Sequence, residues 1–174
     1  MDTFKQMNKL PESFIIRLAE EKDVENIAKV HSEVFSRQTN SHEWISCNFR
    51  AFPRIRYFVA ELETEIVGYI QWTEKSGFRK EVVIELEQIA VLPSKQGKKI
   101  GTALIKQSLP LIKESLAKRQ AHIKHILVTT RADNHAQQLY AKILNAKVET
   151  RISNLFSSDE VLMIARNVNI GHLP

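Results

Sequence analysis

The sequence predicts an α/β (α+β) fold in which a mixed sheet of about seven strands is flanked by about four helices. One indication is the order of patterns, β α α β β β α β α β β, in which β-branched apolar runs alternate with helical periodicity. Another is the length of 174 residues, which suits one domain with a complete core. The composition, 43% hydrophobic and 26% charged, is typical of a globular protein. We therefore expect a single domain over residues 1–174.

The N-terminal third predicts one strand and two helices. Phe14 to Leu18 is a short apolar run, and apolar positions from Val24 to Phe35 then follow helical spacing. His31 lies on that apolar stripe, so we interpret it as a half-buried packing residue rather than a ligand. Ser41 is a suitable N-cap for the second helix, which we expect to end at Pro53.

The middle of the chain predicts three strands in an antiparallel meander. Two of them, Ile55 to Leu62 and Ile66 to Trp72, are joined by a tight turn, and Gly68 marks a bulge or a close backbone approach. The third is the β-branched run from Val82 to Leu92, which Pro93 ends. We expect this third strand to be the central one.

A long helix and a strand are predicted next. The helical pattern begins near Lys98, and Pro110 predicts a kink or a break because proline removes one helical hydrogen bond. Ile123 to Thr130 then has the pattern of a strand. Since a helical crossover joins this strand to the central one, we expect the two to run parallel.

The last predicted elements are a short helix and two strands. Asp133 or Asn134 is the expected cap of the helix. Asn145 stands at its end and can adopt the left-handed conformation that glycine usually supplies there. Lys147 to Ile152 and Glu160 to Arg166 have the pattern of strands.

The net charge of +5 is unevenly distributed. Between Lys95 and Lys124 there are eight Lys or Arg residues and one acid, Glu114. A nucleic acid or a cofactor with several phosphates would complement such a segment, and a solvated helix face is the third explanation. Aromatic residues are not interleaved with these lysines, which disfavours stacking on bases.

The cysteine and histidine content favours a reducing compartment and no metal. Cys47 is the only cysteine, so no internal disulfide can form. His122 and His125 have no third ligand at a suitable spacing. No apolar run approaches the ~20 residues that a membrane span requires. We therefore expect a cytoplasmic protein without a metal ion or a membrane partner.

A polar loop between the central strand and the long helix is suited to bind phosphate. It comprises Ser94 to Gly97, with Gly101 one turn into the helix. The first N–H groups of a helix have no partner inside it and carry partial positive charge, which favours an anion. Lys95, Lys98 and Lys99 add full charges. The Walker and dinucleotide-binding glycine patterns are absent.

Two motifs resemble those of the GNAT superfamily of acyl-CoA-dependent N-acetyltransferases. Gln96-Gly97-Lys98-Lys99-Ile100-Gly101 resembles Gln/Arg-x-x-Gly-x-Gly/Ala, with Lys99 in place of the usual first glycine, and Val91-Leu92-Pro93 resembles the Val-x-Pro element before it. Asn134 to Tyr140 resembles Asn-x-x-Ala-x-x-x-Tyr, with the alanine displaced by one to Ala136. The order of elements matches this fold over about residues 14–168.

The resemblance implies acetyl-CoA (coenzyme A) as the cosubstrate. Its pyrophosphate would lie on the loop, and its pantetheine arm would enter between the fourth and fifth strands, which splay apart in this family. Unpaired backbone groups near Ile89 and Val91 would bond the arm like an added strand and polarise the thioester carbonyl. The expected cofactor-binding residues are Ile89, Ala90, Val91, Gln96, Gly97, Lys98, Lys99, Ile100, Gly101, Thr102, Asn134 and Tyr140.

Three residues are candidates for the chemistry. A free alkylamine has a pKa near ~10.4, so a base must remove a proton before it attacks. Glu85 and Glu87 are two apart on the central strand and share a face that Ile89 and Val91 continue. Either glutamate is the candidate base, and the alternative is that both are surface residues or pair with a Lys or Arg. The resemblance implies that Tyr140 donates a proton to the leaving thiolate, and the alternative is a core tyrosine.

The leading hypothesis is an N-acetyltransferase that transfers the acetyl group of acetyl-CoA to an amine by direct attack in a ternary complex. No Gly-x-Ser-x-Gly or Cys-His pattern suggests a covalent intermediate. The alternatives are a non-catalytic acyl-CoA-binding or regulatory domain of the same fold and, less favoured, a basic nucleic-acid-binding protein.

The acceptor is expected to be a small-molecule or peptide amine. Acidic strand residues favour a cationic amine such as a polyamine, an aminoglycoside, an amino acid or a peptide amine. Trp44, Phe49 and Phe52 either line the acceptor pocket or pack the second helix onto the sheet. The resemblance also makes a homodimer an expected assembly.

Overall fold

A computed structural model describes residues 13–168 of the chain. They form one sheet of seven strands with four α-helices and two short 3-10 helices, Glu21–Asp23 and Pro93–Lys95. The strands are β1 (Phe14–Leu18), β2 (Ile55–Leu62), β3 (Glu65–Glu74), β4 (Glu81–Val91), β5 (His122–Arg131), β6 (Lys147–Ile152) and β7 (Glu160–Arg166). The helices are α1 (Val24–Val34), α2 (Ser41–Phe49), α3 (Ile100–Ala117) and α4 (Ala136–Leu144).

The strand order in the sheet is β1-β2-β3-β4-β5-β7-β6. All neighbouring pairs are antiparallel except β4 and β5, which are parallel as the crossover through α3 predicts. The predicted fold class, including the meander of β2, β3 and β4, is confirmed.

Apolar side chains fill both faces of the sheet. On the face that we call the α3 face, α3 and α4 cover a cluster that includes Phe58, Trp72, Ile84, Leu104 and Leu109. On the opposite face, the α1 face, α1 and α2 cover a second cluster that includes Ile27, Ile45, Tyr57 and Tyr69. The α1 and α2 helices lie over β2, β3 and β4, so β5 and its neighbours are left open on the α1 face.

The α3 helix runs through Pro110 without interruption, so of the predicted kink or break, the break is wrong. Leu109, Ile112 and Leu116 are fully buried against the sheet on either side of the proline. An interior proline costs about 3 kcal/mol, whereas each large apolar side chain contributes about 1.5–3 kcal/mol when it is buried. Packing on the sheet therefore holds the helix together despite the missing hydrogen bond.

The α4 helix ends as the sequence predicts, but its N-cap is His135, one residue after the expected Asn134, and the His135 side chain makes no capping bond. The Asn134 side-chain oxygen accepts a hydrogen bond from the Ala136 N–H at 2.9 Å, whereas Asp133 pairs with Arg131. Asn145 ends the helix with a φ of 54°, which is the left-handed conformation expected of a residue that replaces glycine.

The β4 and β5 strands separate part-way along the sheet. Their pairing ends where Glu85 lies beside Leu127, while β5 continues to pair with β7 as far as Arg131. From Leu86 to Val91, β4 therefore has no strand on its β5 side. The predicted splay is confirmed, and it leaves a row of backbone groups free to bind a ligand.

Candidate active site

The loop between β4 and α3 directs backbone N–H groups out of the helix. Gly97 has a φ of +77° and Lys99 a φ of +61°, both in the left-handed region. No side chain caps the helix, and the Ala103 N–H donates to the Lys99 carbonyl at 3.0 Å. The N–H groups of residues 100–102 precede that bond, so they have no acceptor within the helix. They form a site of partial positive charge.

Lys99 keeps the backbone conformation that a glycine would adopt at this position. For a residue with a Cβ atom, the left-handed conformation costs about 1–2 kcal/mol. The Lys99 side chain is exposed and lies at the rim of the cleft described next. The departure from the usual glycine therefore changes charge and strain but leaves the loop in its left-handed conformation.

A cleft of about 460 Å³ opens in front of these N–H groups. Gly101 lies at its floor, where an added Cβ would be 3.6 Å from Leu139 Cδ2 and 3.9 Å from Ile89 Cδ1. A methyl group would therefore fit against the protein, whereas a large side chain would fill the cleft. Eight of the twelve predicted cofactor-binding residues line it, namely Ile89, Val91, Gln96, Gly97, Lys99, Ile100, Gly101 and Thr102.

The other four predicted cofactor-binding residues do not line the cleft. Ala90 is buried on the α1 face, and Lys98 is exposed. Asn134 is engaged at the start of α4, where its Nδ2 donates to Thr130 Oγ1 at 2.8 Å. Tyr140 lies in the core of the α3 face.

Two cleft residues on α4 were not anticipated from the sequence. Ala136 and Leu139 line the cleft together with the loop. They are three positions apart, which places them on one side of a helix. That spacing was the available signal, but it could not show that this side faces a ligand rather than the core.

A β-bulge controls where the two candidate glutamates lie. In the β3–β4 pairing, Gln71 lies opposite Gln88 and Trp72 opposite Leu86, so Glu87 has no partner residue. Glu85 and Glu87 share the α1 face as predicted. The bulge then shifts the alternation, so Ile89 and Val91 lie on the α3 face. The prediction that these four residues share a face is wrong, because one extra residue reverses the pattern beyond it.

The two glutamates have different surroundings. Glu85 pairs with Lys75 Nζ at 2.8 Å and accepts a hydrogen bond from Thr129 Oγ1 at 3.2 Å. Glu87 accepts a hydrogen bond from Thr73 Oγ1 at 2.5 Å through Oε2, and no residue in the range 13–168 bonds to its Oε1. Glu85 is therefore neutralised by a lysine, whereas Glu87 keeps an oxygen available to a ligand.

A family model for acetyltransferases of the GNAT family matches residues 20–145. The chain belongs to the GNAT acetyltransferase family. Solved structures of GNAT proteins have the same fold at low sequence identity. No curated protein sequence matches the chain significantly.

Three solved structures illustrate the range of GNAT proteins that this chain resembles. The ribosomal-protein-S18-alanine N-acetyltransferase from Escherichia coli is 17% identical with a TM-score of 0.70, and the match covers 92% of this chain and 97% of that one. An aminoglycoside 6'-N-acetyltransferase complexed with coenzyme A is 16% identical with a TM-score of 0.70, and the match covers 91% of this chain and 99% of that one. Arabidopsis thaliana NAA60 in complex with acetyl-CoA is 13% identical with a TM-score of 0.70, and the match covers 87% of this chain and 97% of that one.

Tyr140 of this GNAT domain is 4% exposed and belongs to the core of the α3 face. Burial raises the pKa of its hydroxyl to about 12. The hydroxyl is therefore a weaker acid than that of a solvent-exposed tyrosine. It stays protonated at neutral pH, and no described residue is hydrogen bonded to it. It is therefore free to donate.

A line of polar side chains on the α1 face leads to Glu87. Tyr57 donates to Gln71 Oε1 at 2.9 Å, Gln71 Nε2 donates to Thr73 Oγ1 at 3.4 Å, and Thr73 donates to Glu87. Every donor in this line points towards the carboxylate, so the line orients Oε2 of Glu87. Sequence reasoning missed these residues. The sequence feature that could have revealed them is the presence of Gln71 and Thr73, two positions apart, in an otherwise apolar strand.

His31 is fully buried, so the prediction of a half-buried residue is wrong. Its ring accepts or donates hydrogen bonds at Ser41 Oγ, 2.8 Å away, and at Gln38 Oε1, 3.0 Å away. Burial lowers the pKa of His31, which favours the neutral ring. It ties α1 to the start of α2 and is a structural residue.

Of the three aromatic residues of the α2 region, only Phe49 has the predicted packing role. Phe49 packs beneath the helices on the α1 face. Trp44 and Phe52 are exposed, and Phe52 lies beside Leu18 and Arg56 in a separate depression. Neither exposed aromatic packs α2 onto the sheet.

Among residues 13–168, no helix has both the length and the apolar character needed to cross a membrane. In the same part of the chain, no three His, Cys, Asp or Glu side chains group closely enough to hold a metal ion.

Proposed function

We propose that this GNAT domain is an N-acetyltransferase that transfers the acetyl group of acetyl-CoA to an amine by direct attack in a ternary complex. The observation that carries the proposal is the position of the uncapped start of α3. It opens onto a cleft beside the unpaired stretch of β4, on which Glu87 presents a free oxygen. A phosphate site, a strand edge and a base are thus arranged along one strand.

Acetyl-CoA, the acetyl donor, would be held mainly by backbone groups. The N–H groups of residues 100–102 and the charges of Lys95 and Lys99 suit a pyrophosphate. The free edge of β4 near Ile89 suits the amide groups of a pantetheine arm, which would add to the sheet like a strand. The Val91 carbonyl already accepts a hydrogen bond from Gln96 Nε2 at 3.0 Å, so the loop is tied to the strand.

Glu87 is the better candidate for the base. An ammonium group of the acceptor would lose a proton to Glu87, directly or through a water, and the neutral amine would then attack the thioester carbonyl carbon. Backbone N–H groups on the free edge of β4 would stabilise the resulting oxyanion. Glu85 is held by Lys75, so in this scheme it shapes the site and does not take the proton.

Tyr140 completes the scheme. When the tetrahedral intermediate collapses, the carbon–sulfur bond breaks, the thiolate leaves, and the nitrogen passes its second proton to water. The Tyr140 hydroxyl would donate a hydrogen bond or its proton to that thiolate. Because its pKa is raised to about 12, it would stay protonated until the thiolate forms.

The comparisons support an amine acceptor but not a particular one. The similar solved structures include enzymes as different as a ribosomal-protein-S18-alanine N-acetyltransferase and an aminoglycoside 6'-N-acetyltransferase. A cytoplasmic location and a homodimer both stay predictions.

The test combines binding and turnover. Calorimetry should detect acetyl-CoA binding at micromolar concentrations, and a panel of amines should contain at least one that releases free thiol from acetyl-CoA. Absence of binding at high micromolar concentrations would end the proposal. Binding without thiol release for any amine would instead favour a regulatory acyl-CoA-binding domain, and salt-sensitive DNA binding that acetyl-CoA fails to displace would favour a nucleic-acid-binding protein.

A further inference from the structure

A second depression of about 790 Å³ lies on the α1 face next to Glu85. The loop between β3 and β4 and the first halves of β4 and β5 form its walls. We call it the basic groove, because its charged lining residues are Lys75, Arg79, Lys80, Glu81 and Lys124. The α1 and α2 helices lie over β2, β3 and β4 at the other end of this face, so the groove is open to solvent.

The basic groove has an excess of positive charge. Lys75 pairs with Glu85 at 2.8 Å, and Lys124 pairs with Glu81 at 3.2 Å. Arg79 and Lys80 have no carboxylate partner among residues 13–168, and the Arg79 Nε donates to the Ser76 carbonyl at 2.9 Å. Four cations thus face two carboxylates, which leaves an excess of two positive charges.

His125, which also lines the groove, does not reverse this balance. Its Nδ1 accepts a hydrogen bond from the Asn167 N–H at 3.2 Å, which requires an unprotonated nitrogen at that position. This bond occupies Nδ1 and leaves the other ring nitrogen of His125 for a ligand. The uncompensated charges of the groove are those of Arg79 and Lys80.

The groove is continuous with the proposed acceptor site. Val83 and Leu127 form its floor, and Glu85 lies beside Leu127 where β4 and β5 separate. Lys75 stands at the junction, since it lines the groove and bonds to Glu85. A strand rises about 3.3 Å per residue, so the four steps along β4 from Glu87 to Val83, which lines the groove, span roughly 13 Å. An extended peptide covers that distance in about four residues.

We propose that the acceptor of this GNAT domain is an acidic peptide. Its amine lies at Glu87, and Asp or Glu side chains about four residues further along lie in the basic groove against Arg79 and Lys80. The inference rests on the proposed acetyltransferase function and narrows it. The strand glutamates alone favoured a cationic amine such as a polyamine, an aminoglycoside, an amino acid or a peptide amine. Because Lys75 pairs with Glu85 and the groove beyond it repels a polycation, the acidic peptide is preferred among these.

The test uses three hexapeptides that differ only in charge: Ala-Gly-Gly-Asp-Asp-Gly, its Asn-Asn counterpart and its Lys-Lys counterpart. Thiol release from acetyl-CoA gives kcat/KM for each with the full-length protein. We expect the acidic peptide to exceed the neutral one by at least about tenfold, with the basic peptide poorest, and the preference should weaken as salt rises.

Two charge-reversal variants test whether the preference for the acidic peptide arises in the basic groove. Lys80→Glu should remove most of the preference for the acidic peptide and leave turnover of the neutral peptide within about twofold, since exposed side chains seldom affect the fold. Lys118→Glu makes the same change in net charge at the end of α3 and should leave the preference intact.

The outcomes separate this inference from the proposed function. Equal kcat/KM for the acidic and neutral peptides, better turnover of spermidine than of any peptide, or a preference that survives Lys80→Glu would each overturn the acidic-peptide inference while the acetyltransferase function stands. Failure of the protein to bind acetyl-CoA would overturn both.

Discussion

The two faces of β4 provide different kinds of binding group. On the α3 face, the cleft is lined by apolar side chains and glycines, and the polar groups available to a ligand are mainly backbone N–H groups at the start of α3. On the α1 face, the polar groups are side chains, and they are joined in a line that ends at Glu87. The α3 face therefore offers a ligand mainly backbone groups, whereas the α1 face offers side chains.

This difference separates the effects of mutations. A change on the α3 face should alter affinity for acetyl-CoA, whereas a change on the α1 face should alter turnover or acceptor preference with cofactor affinity unchanged. Substitutions on each face test whether the two functions are separated in this way.

The largest effect is expected on the α1 face. Glu87→Gln keeps the size of the side chain but removes the base, so kcat should fall by about 10²–10⁴-fold. Calorimetry should show an unchanged Kd for acetyl-CoA. Glu85→Gln is the matched control. It should lower kcat clearly less, because Glu85 is paired with Lys75. A larger loss for Glu85→Gln than for Glu87→Gln would reverse the assignment of the base.

A cofactor effect of comparable size is expected on the α3 face. Gly101→Phe would fill the cleft and should weaken acetyl-CoA binding by at least about 100-fold, or roughly 2.7 kcal/mol. Gly101→Ala is the matched control for the fold, because its Cβ would make ordinary contacts with Leu139 and Ile89. It should keep or raise the midpoint of chemical unfolding. Unchanged acetyl-CoA affinity in Gly101→Phe would show that the cleft is not the cofactor site.

The sequence predicted the α3 face better than the α1 face, for a physical reason. Binding through a helix start depends on glycines and on a strand–loop–helix order, and both can be read locally from residues 89–102. The site on the α1 face depends on which strand residues lie side by side. That arrangement follows from the bulge at Glu87 and from the pairing of β3 with β4, neither of which leaves a local sequence signal.

The distribution of charge was equally difficult to predict from the local sequence. The eight basic residues from Lys95 to Lys124 drew attention to the long helix, yet the basic groove combines Lys124 with Lys75, Arg79 and Lys80 from another part of the chain. The sequence alone did not reveal a partner for the Glu85 carboxylate. Lys75 lies ten residues earlier in the chain, and only the β3–β4 pairing brings the two side chains together. Pairings between distant residues decide which charges remain available to a ligand.

Tyr140 lies on the α3 face but is proposed to act on the leaving group, so it should affect kcat rather than cofactor affinity. Tyr140→Phe removes a hydrogen bond to a developing charge, which is worth about 1.5–3 kcal/mol and predicts a fall in kcat of about 10- to 100-fold. The Kd of acetyl-CoA should change little. An unchanged kcat would make Tyr140 a core residue only.

The pH dependence of stability gives a second test of the buried tyrosine. Burial raises the folded-state pKa of Tyr140 to about 12, so its contribution to stability is complete below the unfolded pKa of about 10 and is lost as pH rises towards 12. Burial also raises the pKa values of Tyr57 and Tyr69, so they add to the same loss. Urea unfolding of Tyr140→Phe should show a shallower loss above pH 10, by up to about 1.4 kcal/mol per pH unit.

The smallest effect tests whether the α3 face works through its backbone. Lys99→Gly relieves the left-handed strain, worth about 1–2 kcal/mol, but adds unfolded-state freedom worth about 0.5–1 kcal/mol, so we expect a net stabilisation of roughly 0.5 kcal/mol. Lys99→Ala removes the same charge and keeps the strain. Chemical denaturation should therefore rank Lys99→Gly above Lys99→Ala, while both lose the same few-fold acetyl-CoA affinity that the missing charge accounts for. If the two variants unfold at the same denaturant concentration, strain at residue 99 is negligible, and the usual glycine at this position must serve the approach of the ligand instead.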